Sequence, residues 1–479
     1  MSLSTAFNMA HNIFINAGEQ LSVLVKNIEN SGNKNYSRRE VGTASISHGM
    51  TVVTRQRVQD QHMFQKILDT SSSFLGQKRL LEGFESLKEI MGYENDYDNS
   101  PSHYVSKLKN SLQQYSNDSS NDALGTQVIE NALGVANNLN RFASDIQKIR
   151  ANLDKEIDLE IYNLRGYLSE LTFVNNAIKS SPSSKDTTNE LFDKRDLLLQ
   201  KISEIISIST VKRNNDDIVI YSSGSVALFE TVPRDITFQR TETYSANIEG
   251  KSVFIDGVVV PYNINSIPKG KIEALLQIRD GFSPILQNQL DEMARGLISI
   301  FSEKDISGSL KDVPGLFVSA GSISSSDKLQ KGLSDLIRVN PKYQDNPHFL
   351  RDGGSISKDY KWNHKGFSGY SDLIAHYNSS LNKNFSFDPI SQIGANTSLI
   401  EYARNSIGWL EERRSNSHDV YMRSEVSFNH ISNSYSNLTG VNLQEELNFL
   451  MQVEQSYNIS NKLMNSINEM MRALLEGVK

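Results

Sequence analysis

The sequence contains no cysteine. Disulfide bonds, thiolate nucleophiles and cysteine-held zinc or iron–sulfur centres are therefore excluded together. Proline is scarce, at 10 of 479 residues, which permits long unbroken helices because proline disrupts helix interiors. No apolar run approaches the ~18 residues that a membrane-spanning helix needs. The first residues have no basic region and no long apolar segment, so we expect no cleaved signal peptide.

The chain also lacks an excess of positive charge. Its 49 Lys and Arg residues are outnumbered by 56 Asp and Glu residues, which leaves a net charge of −7. A nucleic-acid-binding chain needs concentrated positive charge, so we predict no nucleic-acid partner. A chain of 479 residues exceeds one ordinary core, and we expect about two to four domains.

Catalytic and cofactor motifs are missing as well. The sequence has no P-loop, no GxGxxG and no HExxH motif, and no two histidines stand three or four residues apart. We therefore predict no metal, no cofactor and no enzymatic activity. The segment Asp193-Lys194-Arg195-Asp196 has an acid pair around an arginine, which is a pattern that can bind phosphate or serve acid–base chemistry. Charge pairing on a helix surface is the favoured interpretation of this segment.

Each end of the chain carries an apolar stripe at helical spacing. In the first 28 residues, two adjacent rows recur every seven residues: Phe7, Phe14, Leu21 and Ile28, and Leu3, Ala10, Ala17 and Leu24. The segment 442–478 has a matching stripe. Two such rows form a seam that must pack on another helix, so we predict that the two ends pair as a coiled coil. The predicted assembly interface comprises Leu3, Phe7, Ile13, Phe14, Leu21, Leu24, Ile28, Leu443, Leu447, Leu450, Tyr457, Met464, Ile467, Met471 and Leu474.

Between these ends, the hydrophobic period changes twice. Apolar residues alternate three and four apart over 128–178 and predict one helix of roughly 75 Å, with two helices broken near Gly166 as the alternative. From 207 the pattern changes to short strand-like runs. Asp256-Gly257 predicts a type I′ hairpin turn. The helical pattern returns over 270–303, where Pro284 is expected to kink or split the helix.

The predicted fold is mainly α with a β insert. It has terminal helices that pair as a coiled coil, a rod-like middle domain of long helices and a β-rich outer domain. The predicted division assigns 1–40 with 436–479 to a terminal helical assembly domain. It assigns 41–206, 268–305 and 366–435 to the long-helix domain, and 207–267 to the outer domain; whether 306–365 also belongs to the outer domain is left open.

Four segments in order resemble motifs of the bacterial flagellar axial proteins, the family of rod, hook and hook-associated subunits. The N-terminal motif comprises Asn27, Asn30, Tyr36, Ser37 and Arg38, and the motif near the C-terminus comprises Gly440, Val441 and Asn442. In the middle, the segment with Asp193, Arg195 and Asp196, and the segment 270–280, are similar to those of hook-associated members.

The resemblance implies a structural component of the flagellum that polymerises by its terminal helices and joins hook to filament. It implies a homo-oligomer in a tubular axial assembly, with hook protein and a second junction protein as neighbours. It also implies an export chaperone on the C-terminal helix, type III export, and an extracellular location at the hook–filament junction without membrane insertion. Another axial protein, hook or distal rod, is the alternative. A hydrolase or ligand-binding protein is the less favoured one.

Overall fold

The helices and strands follow from a computed structural model that describes residues 3–46, 50–91, 98–181, 186–307, 309–320 and 328–477. Side chains are described within these ranges except at 3–4, 43–46, 50–53 and 186. The helices are α1 (Leu3–Glu29), α2 (Gln61–Glu89), α3 (Pro101–Asn117), α4 (Asp122–Ser180), α5 (Asp186–Ile205), α6 (Lys271–Leu276), α7 (Ser283–Ile300), α8 (Leu333–Leu336), α9 (Pro341–Asp345), α10 (Phe349–Asp352), α11 (Asp372–Ser380), α12 (Leu399–Thr439) and α13 (Leu443–Gly477).

The strands are short and pair only in antiparallel fashion within the described ranges. They are β1 (Arg39–Ile46), β2 (Met50–Arg57), β3 (Ile208–Lys212), β4 (Ile218–Ser222), β5 (Ala227–Phe229), β6 (Ile236–Thr237), β7 (Phe254–Ile255), β8 (Val258–Val259), β9 (Phe317–Ser319), β10 (Ile337–Val339), β11 (Phe385–Ser386) and β12 (Asn396–Thr397). β1 and β2 form a hairpin that follows α1, with Arg39 opposite Arg57. The strands β3–β4–β5 and β6–β7–β8 form two small sheets.

The central helix α4 is one unbroken helix of 59 residues, which is about 90 Å at 1.5 Å per residue. The Asn121 side chain caps its N-terminus by accepting a hydrogen bond from the amide of Ala123. The predicted stripe is buried, and Leu164, Leu168 and Leu171 have no exposed surface. The single long helix is therefore confirmed, and the alternative of a break near Gly166 is wrong.

The helical segment around Pro284 does not split. A π-helical turn, Gln277–Phe282, connects α6 to α7, and the residues at both of its ends keep helical backbone angles. Pro284 lies in the first turn of α7. A proline has no amide donor, so the helix loses one backbone hydrogen bond there in any case. The widened turn lies immediately before it, so the helix is not split at Pro284, and a kink there stays a prediction.

The outer strands follow the predicted turn chemistry. Asp256 and Gly257 have positive φ angles of 51° and 80°, as a type I′ turn requires. They connect β7 to β8, whose register pairs Ile255 with Val258. The predicted hairpin is confirmed.

Packing of the long helices forms the main core. α12 packs along α2, and α4 packs against α3 and α5. In the 306–365 segment, α8 packs on α7 and α4, and β10 packs on α4. The predicted mainly α fold with a β insert and paired terminal helices is confirmed. The domain boundaries stay a prediction.

Two helical glycines are expected to respond in opposite directions to alanine. Gly166 is exposed, and a β-carbon there would meet nothing within 4 Å. Gly166→Ala should therefore raise the free energy of unfolding by about 0.5–1 kcal/mol. At Gly83 a β-carbon would lie 2.5 Å from Cγ1 of the buried Ile278. Gly83→Ala should therefore lower the free energy of unfolding by about 1–3 kcal/mol. Urea unfolding followed by circular dichroism measures both, and destabilisation by Gly166→Ala would contradict a continuous helix.

Candidate functional site at the base of the terminal helices

The two terminal helices lie side by side in antiparallel orientation. The ring of Phe14 in α1 stacks on that of Tyr457 in α13, with centroids 4.6 Å apart. Farther along, the Asn27 side-chain amide donates to Glu446 at 3.0 Å. Because residue numbers rise along α1 while they fall along α13, the helices run antiparallel. The predicted pairing of the chain ends is confirmed.

The seam between these helices follows heptad spacing, with steps of three and four residues on each side. Its buried or half-buried members in α1 are Phe7, Ala10, Phe14, Ala17, Leu21, Leu24 and Ile28. In α13 they are Glu446, Leu450, Val453, Tyr457, Ser460, Met464 and Ile467. Most of the residues predicted for the interface therefore lie on the seam within one chain. The side chain of Leu3 lies outside the described residues.

Five predicted interface residues are more exposed than the seam: Ile13, Leu443, Leu447, Met471 and Leu474. Ile13 is 47% exposed because it lies one row beside the α1 seam. The register set by the Phe14–Tyr457 and Asn27–Glu446 contacts brings the start of α1 opposite residues 468–470. The last turns of α13 therefore extend beyond α1, which leaves Leu474 61% exposed.

A second apolar row on α13 was absent from the sequence prediction. Phe449, Leu463 and Met470 recur at multiples of seven residues beside the seam and are 50%, 47% and 50% exposed, and Ile459 lies next to them at 52%. Their heptad spacing was the signal that could have identified them. This row, Phe449, Ile459, Leu463 and Met470, is called the outer row below.

Asn27 organises the base of the paired helices. Its Nδ2 donates to the carboxylate of Glu446 and to the carbonyl of Arg39, each at 3.0 Å. Its Oδ1 accepts from the hydroxyl of Tyr36 at 2.8 Å and from the amide of Arg39 at 3.0 Å. Asn27 is 1% exposed and Glu446 is 3% exposed. One buried amide therefore joins α1, α13 and the start of the hairpin, and its four bonds use every polar group that an asparagine offers.

The loop after α1 is tied to the α12–α13 connection. The amide of Arg38 donates to the carbonyl of Thr439 at 2.7 Å, and the Arg38 guanidinium lies 3.9 Å from Glu445. A β-carbon at Gly440 would lie 2.4 Å from the carbonyl oxygen of Ser436, so glycine allows this close approach. The loop after α1 and the connection between α12 and α13 are therefore in direct contact.

The other motif residues have local roles around this point. The carbonyl of Ser37 accepts from the Arg39 guanidinium at 2.6 Å. The Asn30 side chain donates to the carbonyl of Lys26 at 2.9 Å and so closes the end of α1. Asn442 caps α13 by accepting from the amide of Gln444 at 3.1 Å, and it follows the half-buried Val441. The structure therefore brings both terminal motifs into one site.

The middle motif joins the same site through ion pairs. Arg39 and Arg57, which are opposite each other in the hairpin, both reach α5. Arg39 pairs with Asp193, and Arg57 pairs with Asp196 and lies 3.6 Å from Asp193. The arginine side chains are 4% and 6% exposed, and the aspartates are 14% and 19% exposed. These four residues, called the junction clamp, attach the hairpin to the helical domain.

Burial shifts the ionisation of the clamp residues. Burial raises the pKa of the Asp193 carboxyl, against the opposing hydrogen bond and charge of Arg39 and the charge of Arg57. For Arg57, burial acts to lower the pKa, but the charges of Asp196 and Asp193 outweigh it and raise the pKa. Every acid of the clamp therefore faces at least one arginine, and neither aspartate is left over for acid–base chemistry.

Sequence reasoning missed Arg39, Arg57 and Glu446. It assigned Asp193 and Asp196 to charge pairing on a helix surface, whereas they pair with arginines of the hairpin. The available signal was the presence of arginines at both ends of an otherwise Val- and Thr-rich extended segment.

Within the described ranges, no helix combines the length and the hydropathy that crossing a bilayer requires. The residues that the structure describes also contain no group of three or more His, Cys, Asp or Glu side chains placed to hold a metal ion.

The junction clamp is expected to hold the β1–β2 hairpin against α5. Asp193→Ala removes the partner of the buried Arg39 and should cost roughly 3–5 kcal/mol of local stability. Hydrogen exchange of the Arg39 and Val58 amides should then accelerate at least ~100-fold. Glu190→Ala on the same helix is the matched control, because Glu190 is 67% exposed and lies 4.0 Å from Lys26; it should change exchange only slightly. Equal rates in both variants would contradict the clamp.

The Asn27–Glu446 hydrogen bond is expected to set the alignment of α1 against α13. Asn27→Asp places two carboxylates together in a buried site and should destabilise the helix pair by about 2 kcal/mol or more. Adding Glu446→Gln restores a donor between them and should recover part of that loss. Hydrogen exchange across α13 measures both. Losses that simply add in the double variant would show that the two side chains are not coupled.

Parts of this chain resemble known proteins. Residues 87–315 match the model described as "Flagellar hook-associated protein FlgK helical domain". Flagellar hook-associated protein 1 of Bacillus subtilis (strain 168) is 20% identical over 425 residues, which cover 82% of this chain and 80% of that protein. The flagellar hook junction protein FlgK from Burkholderia pseudomallei, a solved structure, is 17% identical with a TM-score of 0.44. That match covers 53% of this chain and 46% of the other, so the chain spans less than half of that structure. Residues 87–315 are therefore similar to the helical domain of flagellar hook-associated proteins, and most of the chain is similar to flagellar hook-associated protein 1.

Proposed function

We propose that this chain is a structural subunit of the bacterial flagellum that polymerises through its terminal helices and joins hook to filament. The observation that carries the proposal is the antiparallel pair of α1 and α13, which buries one apolar seam and leaves further apolar rows uncovered. The proposal assigns no catalytic role.

The uncovered residues support polymerisation. The outer row of α13 and Met9, Ile13 and Ile15 of α1 are each between 44% and 55% exposed. Exposed apolar surface of this kind marks sites that other protein surfaces cover. Each buried side chain of this size contributes about 1.5–3 kcal/mol when fully covered. Repetition along a tube supplies many such contacts, so weak contacts in one pair of subunits add up to a stable assembly.

The junction clamp supports a mechanical role in the assembly. It connects the paired terminal helices, through the hairpin, to α5 of the helical domain. An assembly built on the terminal helices then holds the helical domains, and the β insert attached to them, in defined orientations. The predicted domain division fits this role. Residues 1–40 with 436–479 form the assembling part, and 207–267 faces outward. The long helices set the distance between these two parts.

We propose the neighbours and the export route from the similarity to flagellar hook-associated proteins. Hook protein on one side and a second junction protein on the other are the expected contacts of a subunit that links hook to filament. The part of α13 that extends beyond α1, residues 471–477, exposes Met471, Leu474 and Leu475 at 38%, 61% and 71%. We assign this end to an export chaperone before assembly, and the route to type III flagellar export with an extracellular destination.

The first test is a deletion strain in the organism that encodes the chain. Electron microscopy should find complete hooks without filaments, and the culture supernatant should contain monomeric flagellin. Absent hooks would move the protein to the hook or the distal rod. Unchanged flagella would contradict a structural role.

Complementation with point variants then tests the two apolar surfaces separately. Phe14→Asp and Leu450→Asp disrupt the seam, and Phe449→Asp disrupts only the outer row. All three should leave the helical domain folded and fail to restore filaments. Phe449→Asp should also keep the protection of the α1–α13 pair in hydrogen exchange. Asn458→Asp, a change at an exposed polar position of the same helix, is the matched control and should restore motility. Normal filaments with Phe449→Asp would remove the outer row from the interface.

A further inference from the structure

An exposed row of side chains runs along α4, outside the terminal helices. From 155 to 173 every third or fourth residue is exposed, although the helix buries a full apolar stripe on its other side. This α4 row comprises Lys155, Leu159, Tyr162, Gly166, Ser169 and Phe173. Its two aromatic side chains are 73% and 74% exposed. Alternating steps of three and four residues are typical of a helix surface that packs on another helix.

A second exposed row with the same spacing lies on α12. This α12 row comprises Ser415, Asp419, Met422, Val426, Asn429 and Asn433, all of which are exposed. Met422 is 45% exposed and Val426 is 66% exposed. Both rows advance in steps of four, three, four, three and four residues, and each has two consecutive apolar positions. The two rows therefore have matching patterns.

Helix α2 separates the two helices that carry these rows. Its Arg79 pairs with Glu156 of α4 at 2.6 Å, and its Gln77 donates to the Ser417 hydroxyl of α12 at 2.7 Å. Two residues along a helix correspond to a rotation of about 200°, so α4 and α12 lie on opposite sides of α2. Because each row also faces away from the core of its own chain, one chain cannot bring its two rows together.

Both helices run in the same direction along the helical domain. Residue numbers of α12 fall as those of α2 rise, from the Gln77–Ser417 contact to the Glu85–Arg414 contact. The segment 270–278 follows α2 in the direction of α2, and α4 runs against that segment. α4 and α12 are therefore both antiparallel to α2 and parallel to each other.

The two rows also lie at the same height along the domain. The contacts of α4 and α12 with α2 involve neighbouring α2 residues, so they mark nearly the same level on both helices. Tyr162 is six residues beyond the α4 contact and Met422 is five residues beyond the α12 contact, which is about 9 Å and about 7.5 Å. Tyr162 is then level with Met422, and Gly166 is level with Val426. A β-carbon at Gly166 would meet nothing within 4 Å, so the α4 row has a gap where the α12 row has an exposed valine.

The charges at one end of the rows are complementary. Along α4 a basic residue, Lys155, comes before the acidic Asp158, whereas along α12 the acidic Asp419 comes before the basic Arg423. All four are exposed. If the two helices lie side by side at one level, each base has an acid of the other helix within about one turn. Two α4 rows at one level would instead place like charges together.

We propose that the α4 row of one subunit packs against the α12 row of a second copy of this chain, side by side and at the same height. The inference rests on the proposed function, because it names a contact between helical domains within the polymer. Copies related by rotation about an axis parallel to their helices keep the same height. The contact is heterologous, so each copy has a row left for the next copy, and the contacts close a ring or continue as a helical array.

Cross-linking of assembled flagella tests the contact. The native chain has no cysteine, so introduced thiols are its only ones. A chain with Tyr162→Cys and Met422→Cys is produced in the deletion strain, and flagella from motile cells are treated with a short bis-maleimide. We expect a ladder of linked chains on a denaturing gel. The matched control combines Tyr162→Cys with Gly408→Cys, an exposed position 14 residues before Met422 and about 21 Å away along the same face. It should give at least tenfold less linked chain.

Motility separates a failure of this inference from a failure of the proposed function. Motile cells whose flagella carry Tyr162→Cys and Met422→Cys but give no ladder would overturn the contact and leave the structural role intact. Equal linking with Gly408→Cys would overturn the alignment in height. Linked dimers from a chain with Tyr162→Cys alone would overturn the pairing of unlike rows, because they require two α4 rows in contact.

An exchange of charges tests the same contact without cysteines. Lys155→Glu places like charges near Asp419 of the next copy and should lower the fraction of cells with filaments at least twofold. Adding Asp419→Lys to the same chain should recover at least half of this loss, because an acid and a base then face each other again. Both positions are exposed, so circular dichroism of the monomer should not change. Equal fractions in all strains, or no recovery in the double variant, would overturn the proposed alignment.

Discussion

Neither terminal helix can bury its apolar stripe alone, and the pairing of α1 with α13 is the interaction on which the rest of the architecture depends. The Phe14–Tyr457 and Asn27–Glu446 contacts join residues more than 400 positions apart. Because α1 pairs with α13, the chain between them leaves this helix pair at the end of α1 and comes back to it at the start of α13. The long helix α4 and the β insert therefore belong to a loop whose closure is set by one heptad seam.

The base of that pair combines two kinds of polar contact. Asn27 is hydrogen-bonded on every side, and the junction clamp pairs two arginines with two aspartates. Buried ion pairs contribute little net stability because desolvation offsets their attraction, whereas removal of one partner is strongly unfavourable. Their consequence here is geometric, since only one placement of the hairpin against α5 pairs both arginines. Such a contact suits a subunit whose task is to hold its domains in one orientation.

The exposed apolar rows leave a single chain incompletely covered, whereas the polar base does not. Phe449 and Leu463 remain half exposed, so a single chain is incompletely covered at its ends. The base and the helical core are covered by the chain itself, and Leu164 and Leu168 have no exposed surface. This division between a self-sufficient middle and incomplete ends is what a subunit requires if it must exist as a monomer before it polymerises.

The sequence by itself determined α1, α4, α13 and the hairpin turn at Asp256-Gly257, because helical periodicity and turn chemistry are local properties. It also assigned Asp193 and Asp196 to a structural role, but to charge pairing on a helix surface. Only the tertiary structure decided that these acids face Arg39 and Arg57 and that Glu446 meets Asn27. These contacts join residues about 140 to 420 positions apart. A single charged residue carries no periodic signal, so its partner is set only when distant elements pack together.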